Sequence, residues 1–242
     1  MLIFNRFIKK TAQKFGVQVS RRNARNSPDL KIVASLKNFE IDLVIDVGAN
    51  EGQYAEQLIH AGYKGKIISF EPLESAWEIL KKKSQKYPQW DVYERCAVGE
   101  EEKTIALNIS ENSVSSSICK VLPTHVKSAP KSVIIGTDNV PMIPLDKAHI
   151  SASSHNCYLK IDTQGYEHNV LVGAENLLKE IKGIQLELSL IELYENQKLW
   201  REIHDKLEND GFKLWGVIPG FSDQLTGQTL QFDGIFFRQN LF

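Results

Sequence analysis

Two short segments constrain this chain more than any others. Leu43-Val44-Ile45-Asp46-Val47 runs into the turn Gly48-Ala49-Asn50-Glu51-Gly52, and Ile67-Ile68-Ser69-Phe70 runs into Glu71-Pro72. An apolar run ending in a Gly-rich turn reads as a buried parallel strand that hands its chain to a ligand. A second strand ending in an acid, about 20 residues past the turn, places a carboxylate where it accepts both hydroxyls of a ribose diol. Together they imply an open α/β sheet that binds a nucleoside-containing cofactor.

The glycine spacing narrows that cofactor. A dinucleotide fingerprint, G-x-G-x-x-G, lets backbone approach a pyrophosphate at a helix N-terminus. Here the order is Gly48-x-Asn50-x-Gly52. Asn tolerates the left-handed conformation, so the turn survives, but its side chain fills space that a pyrophosphate needs. Asp46, just before the turn, adds negative charge where two phosphates would sit. A ligand carrying an ammonium and a sulfonium, S-adenosylmethionine, suits the site better.

Strand and helix patterns alternate along most of the chain. Strands are expected at Asp42 to Val47, Lys66 to Phe70, Asp91 to Val98, Cys157 to Asp162 and Gly183 to Leu190. Helices are expected at Gln53 to Ala61, Leu73 to Tyr87, Tyr166 to Leu178 and Leu199 to Asn209. The last two strands, Phe212 to Ile218 and Gln231 to Arg238, have no helix between them and should pair antiparallel. This is the layout of the class I methyltransferase fold, a Rossmann-like, mostly parallel seven-stranded sheet with an antiparallel C-terminal hairpin. A β-rich insertion, about residues 100–156, interrupts it between the third and fourth strands. Within it, Val133 to Ile135 and Val140 to Ile143 flank Gly136 to Asn139 as a hairpin would.

The expected organisation is a basic N-terminal extension, 1–40, and one domain, 41–242. Arg6, Lys9, Lys10, Lys14, Arg21, Arg22 and Arg25 face no acid within the first 25 residues, and Leu2, Ile3, Phe4, Phe7, Ile8 and Phe15 are interleaved. Such a segment reads either as an amphipathic helix packed on the domain or as a peripheral contact with an anionic membrane. A net charge of −1 gives no general argument for nucleic acid. Cys96, Cys119 and Cys157 are odd in number and lack C-x-x-C spacing, so neither a disulfide framework nor a zinc site is indicated. A cytoplasmic location follows as the expectation.

Taken together, Ile45-Asp46-Val47-Gly48-Ala49-Asn50-x-Gly52, Phe70-Glu71-Pro72, Ala97-Val98-Gly99, Leu145-Asp146 and Leu159-Lys160-Ile161-Asp162-Thr163-Gln164-Gly165-Tyr166-Glu167 resemble the FkbM family of S-adenosylmethionine-dependent methyltransferases. The resemblance runs from about Ile41 to Phe237, and the Lys-Ile-Asp-x-x-Gly-x-Glu block is its most specific part. It implies methylation of a hydroxyl on a sugar, glycan, lipid-linked sugar or natural product. It also implies that Gly48, Asn50 and Gly52 line the cofactor's amino-acid end, that Asp46 reaches its ammonium directly or through water, and that Glu71-Pro72 lies at the ribose. Ala97 and Val98 would flank the adenine. Tyr54 either covers the cofactor or fills a helix interface.

Asp162 ends the fourth strand, and strand ends face the ligand crevice in open α/β sheets. It is the first candidate for orienting or deprotonating the acceptor hydroxyl. Glu167 either favours a helix N-terminus or joins Asp162 as a second acid. Two such carboxylates also suit a divalent ion, although nothing else in the sequence demands a metal and none is expected. Lys160 is read as an active-site residue or as the partner of Glu187, and His168 as a base or a solvated surface histidine. His125, His149 and His155 fall in the insertion or its exit, and Ser113 to Ser117 resembles a family element near the site. Trp215, Trp200 and Tyr194 are candidates for sugar stacking or for core. The alternatives are a nicotinamide oxidoreductase, disfavoured by Asn50 and by the absence of a Tyr-x-x-x-Lys pair, and a methyltransferase-like binding module without turnover. Nucleic-acid methylation is disfavoured by the lack of an Asn-Pro-Pro-Tyr-like tetrad.

Overall fold

In the computed structural model, which describes residues 12–17 and 22–241, a seven-stranded sheet carries the domain. Its strands are β1 (Leu43–Val47), β2 (Lys66–Phe70), β3 (Trp90–Val92), β7 (Cys157–Ile161), β8 (Ile181–Ser189), β9 (Phe212–Pro219) and β10 (Gln231–Arg238). They lie in the order β3-β2-β1-β7-β8-β10-β9. β3, β2, β1, β7 and β8 run parallel, and β10 pairs antiparallel with both β8 and β9. The reversal of strand order beside β1 opens a crevice at the strand C-terminal ends, where such sheets bind ligands.

Full burial explains the mostly apolar character of β1 and β7, in which every residue is buried, including one charged residue in each, Asp46 and Lys160. One core cluster on the sheet contains Ile45, Leu159, Leu186 and Phe236, and a second contains Val44, Ile67, Tyr158 and Phe237. Helix α1 (Pro28–Asn38), opened by a proline at its start, contributes Ile32 and Leu36 to the second cluster. Phe39, which follows α1, stacks on Phe237 with ring centroids 3.8 Å apart. The latter part of the expected extension is thus packed into the domain. Most of the amphipathic segment lies outside the described residues; of its described members, Phe15 is 80% exposed. No described helix is long and apolar enough to cross a membrane.

Helices α2 (Gln53–His60) and α3 (Glu74–Ser84) follow β1 and β2 closely as expected. The third strand does not reach Val98. It ends at Val92, Tyr93 turns its ring onto Phe70 at 4.6 Å, and Ala97–Val98 becomes β4 of a separate small sheet. That sheet has the order β4-β6-β5, with β5 at Lys103–Ser110 and β6 at Ile134–Ile143. The expected hairpin turn at Gly136 to Asn139 is instead the middle of β6. Its four residues pair in register with Asn108, Leu107 and their neighbours on β5 while remaining largely exposed. The partner strand satisfies the backbone, so the polar composition signalled a solvent face rather than a turn.

The expected helix at Tyr166 to Leu178 is also divided. α5 (Glu167–Val172) stops at Gly173, where a Cβ would collide with the Gly99 carbonyl, and a 3₁₀ turn resumes at Leu177–Lys179. Asp146 of the Leu-Asp pair accepts the Asn176 and Leu177 N–H groups at 3.0 and 2.8 Å, which caps that second turn. The insertion also supplies α4 (Pro123–Ser128), and α6 (Trp200–Asn209) precedes β9. The insertion is stitched to the sheet by Ser117 Oγ donating to the Gln164 carbonyl at 2.6 Å and Leu122 N donating to the Leu193 carbonyl at 2.9 Å.

Candidate active site

A cavity of about 560 Å³ opens at the C-terminal ends of β1, β2, β7 and β8, with the insertion as its opposite wall. Gly48, Asn50, Tyr54, Glu71, Pro72, Ala97 and Val98 border it, as do Lys160 and Asp162. The turn after β1 takes left-handed values at Gly48 (φ +76°), Asn50 (φ +47°) and Gly52 (φ +85°). At Gly48 a Cβ would strike the Asp162 carbonyl oxygen, so only glycine lets the two turns touch. Gly52 does not border the cavity. A Cβ there would run into Trp90 and Leu80, so the residue serves helix packing rather than the ligand surface.

Glu71 is 5% exposed and is fixed through both oxygens. Oε2 accepts the Asn50 N–H at 2.7 Å and Oε1 accepts the Leu73 N–H at 2.8 Å. A carboxylate offers about four lone-pair directions, so one remains on each oxygen for a diol. Burial pushes its pKa up to about 7, against the pull of those two N–H groups.

Asp46 lies behind the cavity wall rather than at its surface. It is fully buried and does not border the cavity; Ser69 Oγ donates to its Oδ2 at 3.2 Å, and Lys160 Nζ stands 3.3 Å from its Oδ1. The parallel register puts Asp46 directly beside Lys160, so its nearest charged partner is the lysine. Lys160 Nζ also lies 3.5 Å from Asp162 Oδ2, donates to the Gly48 carbonyl at 3.2 Å, and sits 5.3 Å over the Tyr54 ring. Burial works against its charge, but Asp162 and Asp46 prevail and raise its pKa. Its partners are thus these two acids and not Glu187, because the residue beside Lys160 on β8 is Gln185. Tyr54 donates to that Gln185 at 2.9 Å and also borders the cavity.

Asp162 keeps 34% of its side chain exposed into this space. Gln164, left-handed at φ +56°, donates through Nε2 to Asp162 Oδ1 at 2.7 Å and to Glu187 Oε2 at 2.9 Å. Tyr194 in turn donates to Gln164 Oε1 at 2.6 Å. Glu167 does not join Asp162. It turns back into its own loop, accepts the Thr163 and Gly165 N–H groups at 3.0 and 3.1 Å, and does not border the cavity. Burial, followed by the Asp162 charge, raises it to about 7 despite those N–H groups. The two acids therefore do not face a common ion, and no cluster with metal-ligand geometry occurs among the described residues. His168 lies one residue on along α5, outside the cavity, among Lys198, Glu202 and Lys206.

Of the insertion's candidates, Ser113 to Ser117 and His125 border the cavity, while His149 and His155 do not. His155 pairs with Asp42 at 3.2 Å. Trp215 packs edge-on to Phe39 and Trp200 edge-on to Phe232, both away from the cavity. Tyr194 is fully buried against His125. Sequence reasoning did not single out Gln164, Gln185, Gln231 or Asp233, all of which border the cavity. For Gln185, Gln231 and Asp233, the available signal is a polar residue inside the apolar β8 and β10 patterns.

A sheet of this order, with its C-terminal hairpin and a cavity at the turn after β1, defines a class I, Rossmann-like methyltransferase that uses S-adenosylmethionine. The methyltransferase FkbM domain matches residues 46–214, and the chain belongs to that family. Among solved structures, it is similar to magnesium protoporphyrin IX methyltransferase from Synechocystis PCC 6803 with bound S-adenosylmethionine. That pair shares 11% identity over 89% of this chain and 80% of the other, with a TM-score of 0.48. A Listeria monocytogenes protein assigned as an S-adenosylmethionine-dependent methyltransferase shares 9% identity over 87% and 98% of the two chains, with a TM-score of 0.50. An rRNA methylase from Streptococcus thermophilus shares 10% over 91% and 99%, with a TM-score of 0.47. The Listeria monocytogenes likeness speaks for the fold alone. No curated protein sequence matches the chain.

Proposed function

We propose that this methyltransferase transfers the methyl group to a hydroxyl of a sugar, glycan or natural product. The carrying observation is Asp162, exposed at the end of β7 and held on both sides, by Lys160 at one oxygen and Gln164 at the other. A carboxylate fixed in this way accepts a hydroxyl proton and aligns the oxygen with the sulfonium methyl. A positioned base contributes about 10² to 10⁴ in rate, and alignment of the reactants up to roughly 7–11 kcal/mol. Orientation is therefore the larger part of its role.

In the same reading, the Gly48 to Asn50 turn holds the amino-acid end of the cofactor, Glu71 takes the ribose, and Ala97 and Val98 flank the adenine. The cofactor supplies an electrophilic methyl. Lys160 fixes Asp162 to the Gly48 turn, so the two halves of the site move together. Glu167 acts on the reaction only by shaping the loop that carries Asp162 and Gln164.

Calorimetric titration should show binding of S-adenosylhomocysteine and none of NAD; the reverse ends this reading. With labelled S-adenosylmethionine and a panel of sugar and natural-product alcohols, the label should appear on oxygen. Label on nitrogen or carbon overturns O-transfer. Asp162→Asn should retain S-adenosylhomocysteine affinity and lose turnover, and unchanged turnover removes Asp162 from the reaction.

A further inference from the structure

Beyond Asp162 the cavity floor continues as a row of acids. The parallel register pairs Ile161 with Leu186, which brings Asp162 beside Glu187, and the antiparallel register places Glu187 directly opposite Asp233. Opposed residues in such a pair carry their side chains on one face with Cβ atoms about 4.5–5.5 Å apart, and like charges there are destabilising. Both acids border the cavity.

Little compensates this charge. Glu187 Oε2 takes amide donors from Gln164 and Gln231 at 2.9 and 2.7 Å. Lys160 is the one lysine or arginine among the described residues that border the cavity, and it is already engaged by Asp46, Asp162 and the Gly48 carbonyl. Asp233 is raised to about 6 by burial and then by the Asp162 charge, and Glu187 is raised further by burial and by Asp162, Glu167 and Asp233. A second, independent feature borders the same cavity. His125 on α4 is 3% exposed, and its Nδ1 has no hydrogen-bond partner. Burial lowers its pKa, so it presents a neutral imidazole. Carboxylates accept hydrogen bonds and a neutral imidazole offers one accepting nitrogen, so a ligand beside these groups brings donors.

We propose that Glu187 and Asp233 form an ammonium-binding subsite, so that the hydroxyl to be methylated belongs to an amine-bearing polyol of the amino-sugar type. This rests on the reading of Asp162 as the hydroxyl-orienting group. The ammonium sits between the two opposed carboxylates, and the row Asp162–Glu187–Asp233 sets the separation between amine and reacting hydroxyl. Anionic acceptors are rejected by the same charges. Burial and mutual repulsion favour the protonated acids in the empty site, and a bound cation favours their ionised forms.

The test is calorimetric titration of the full chain, saturated with S-adenosylhomocysteine, with glucosamine, glucose and N-acetylglucosamine. The three differ at one ring position, and only glucosamine carries an ammonium. Glucosamine should bind about 10- to 100-fold more tightly than either neutral sugar, as expected for hydrogen bonds to charged groups. Asp233→Asn should abolish that preference and leave S-adenosylhomocysteine affinity unchanged. Equal binding of the three sugars, or binding of none, overturns the proposal. So does a fall in S-adenosylhomocysteine affinity in Asp233→Asn, which would assign the acids to the cofactor's own ammonium, or displacement of glucosamine by magnesium. Failure of S-adenosylhomocysteine to bind the parent protein would instead count against the methyltransferase site itself.

Discussion

Gly48 and Asp162 touch through their backbones: the glycine's missing Cβ is the space occupied by the Asp162 carbonyl oxygen. The turn that begins the cofactor site and the strand end that orients the acceptor are thus one contact, although over a hundred residues separate them in sequence. Gly48→Ala must both enter the left-handed region and displace that carbonyl. The expected cost is roughly 2–5 kcal/mol of unfolding free energy, from strain plus overpacking. S-adenosylhomocysteine affinity should fall with it. Gly136→Ala, with nothing near its absent Cβ, is the matched control and should be close to neutral in the same urea titration.

Lys160 and its acids give a second prediction. Lys160→Met would leave Asp46 fully buried with only Ser69 to answer its charge. Breaking a buried pair by removing one partner costs about 3–5 kcal/mol, while replacing both partners is far milder. The double variant Asp46→Asn/Lys160→Met should therefore recover most of the stability that Lys160→Met loses. Urea unfolding of the four proteins as a cycle checks this, and additive losses would show that the two side chains are not coupled.

The legible part of the molecule is the part governed by backbone. The left-handed Asn50, the glycine that must pass close to another strand, and the acid at the end of β2 all follow from strand-to-turn chemistry carried by adjacent residues. The illegible part depends on register between strands far apart in sequence. Glu187 could be recognised as a polar residue in an apolar strand, but its neighbour Asp233 is fixed only when β10 pairs antiparallel with β8. The same is true of Lys160, whose partner follows from its place beside Asp46. Glu167 shows a different limit: its position in the first turn of a helix was readable, whereas its side chain could fold back to the Gly165 N–H or point outward with equal sense. Gln164 hid for a related reason, since its left-handed backbone is what turns the amide toward Asp162.

The buried acids predict an unusual pH dependence of stability. Glu167 rises from 4.5 unfolded to about 7 folded, and Glu71 does the same. An acid whose folded pKa is raised gives its full stabilisation below its unfolded value and loses it as pH climbs through the folded one. These groups should therefore lower the unfolding free energy as pH rises from about 4.5 to 7. The buried His125 and His168, whose pKa values are lowered, act in the opposite sense in part of this window. The comparison is accordingly made between Glu167→Gln and the parent. The variant's slope should differ from the parent's by up to about 1.4 kcal/mol per pH unit, the full contribution of one proton. Identical slopes would mean that Glu167 is ionised throughout.

Glu71 makes the last prediction, because its two tasks pull its charge in opposite directions. The Asn50 and Leu73 N–H groups and the two ribose hydroxyls all donate, which favours the carboxylate, while burial favours the neutral acid. Cofactor binding adds donors and tips the balance toward ionisation. S-adenosylhomocysteine affinity should consequently weaken as pH falls below about 7, with a proton released on binding at neutral pH. In Glu71→Gln one terminal atom becomes a donor facing a backbone N–H. Loss of charged hydrogen bonds of this kind weakens binding by about 10- to 150-fold. The variant's affinity should also be independent of pH between about 5.5 and 8, outside the range where carboxylates ordinarily titrate. Calorimetry in two buffers of different ionisation enthalpy reads both the affinity and the proton count, and a pH-dependent affinity in Glu71→Gln would assign the titration to another group.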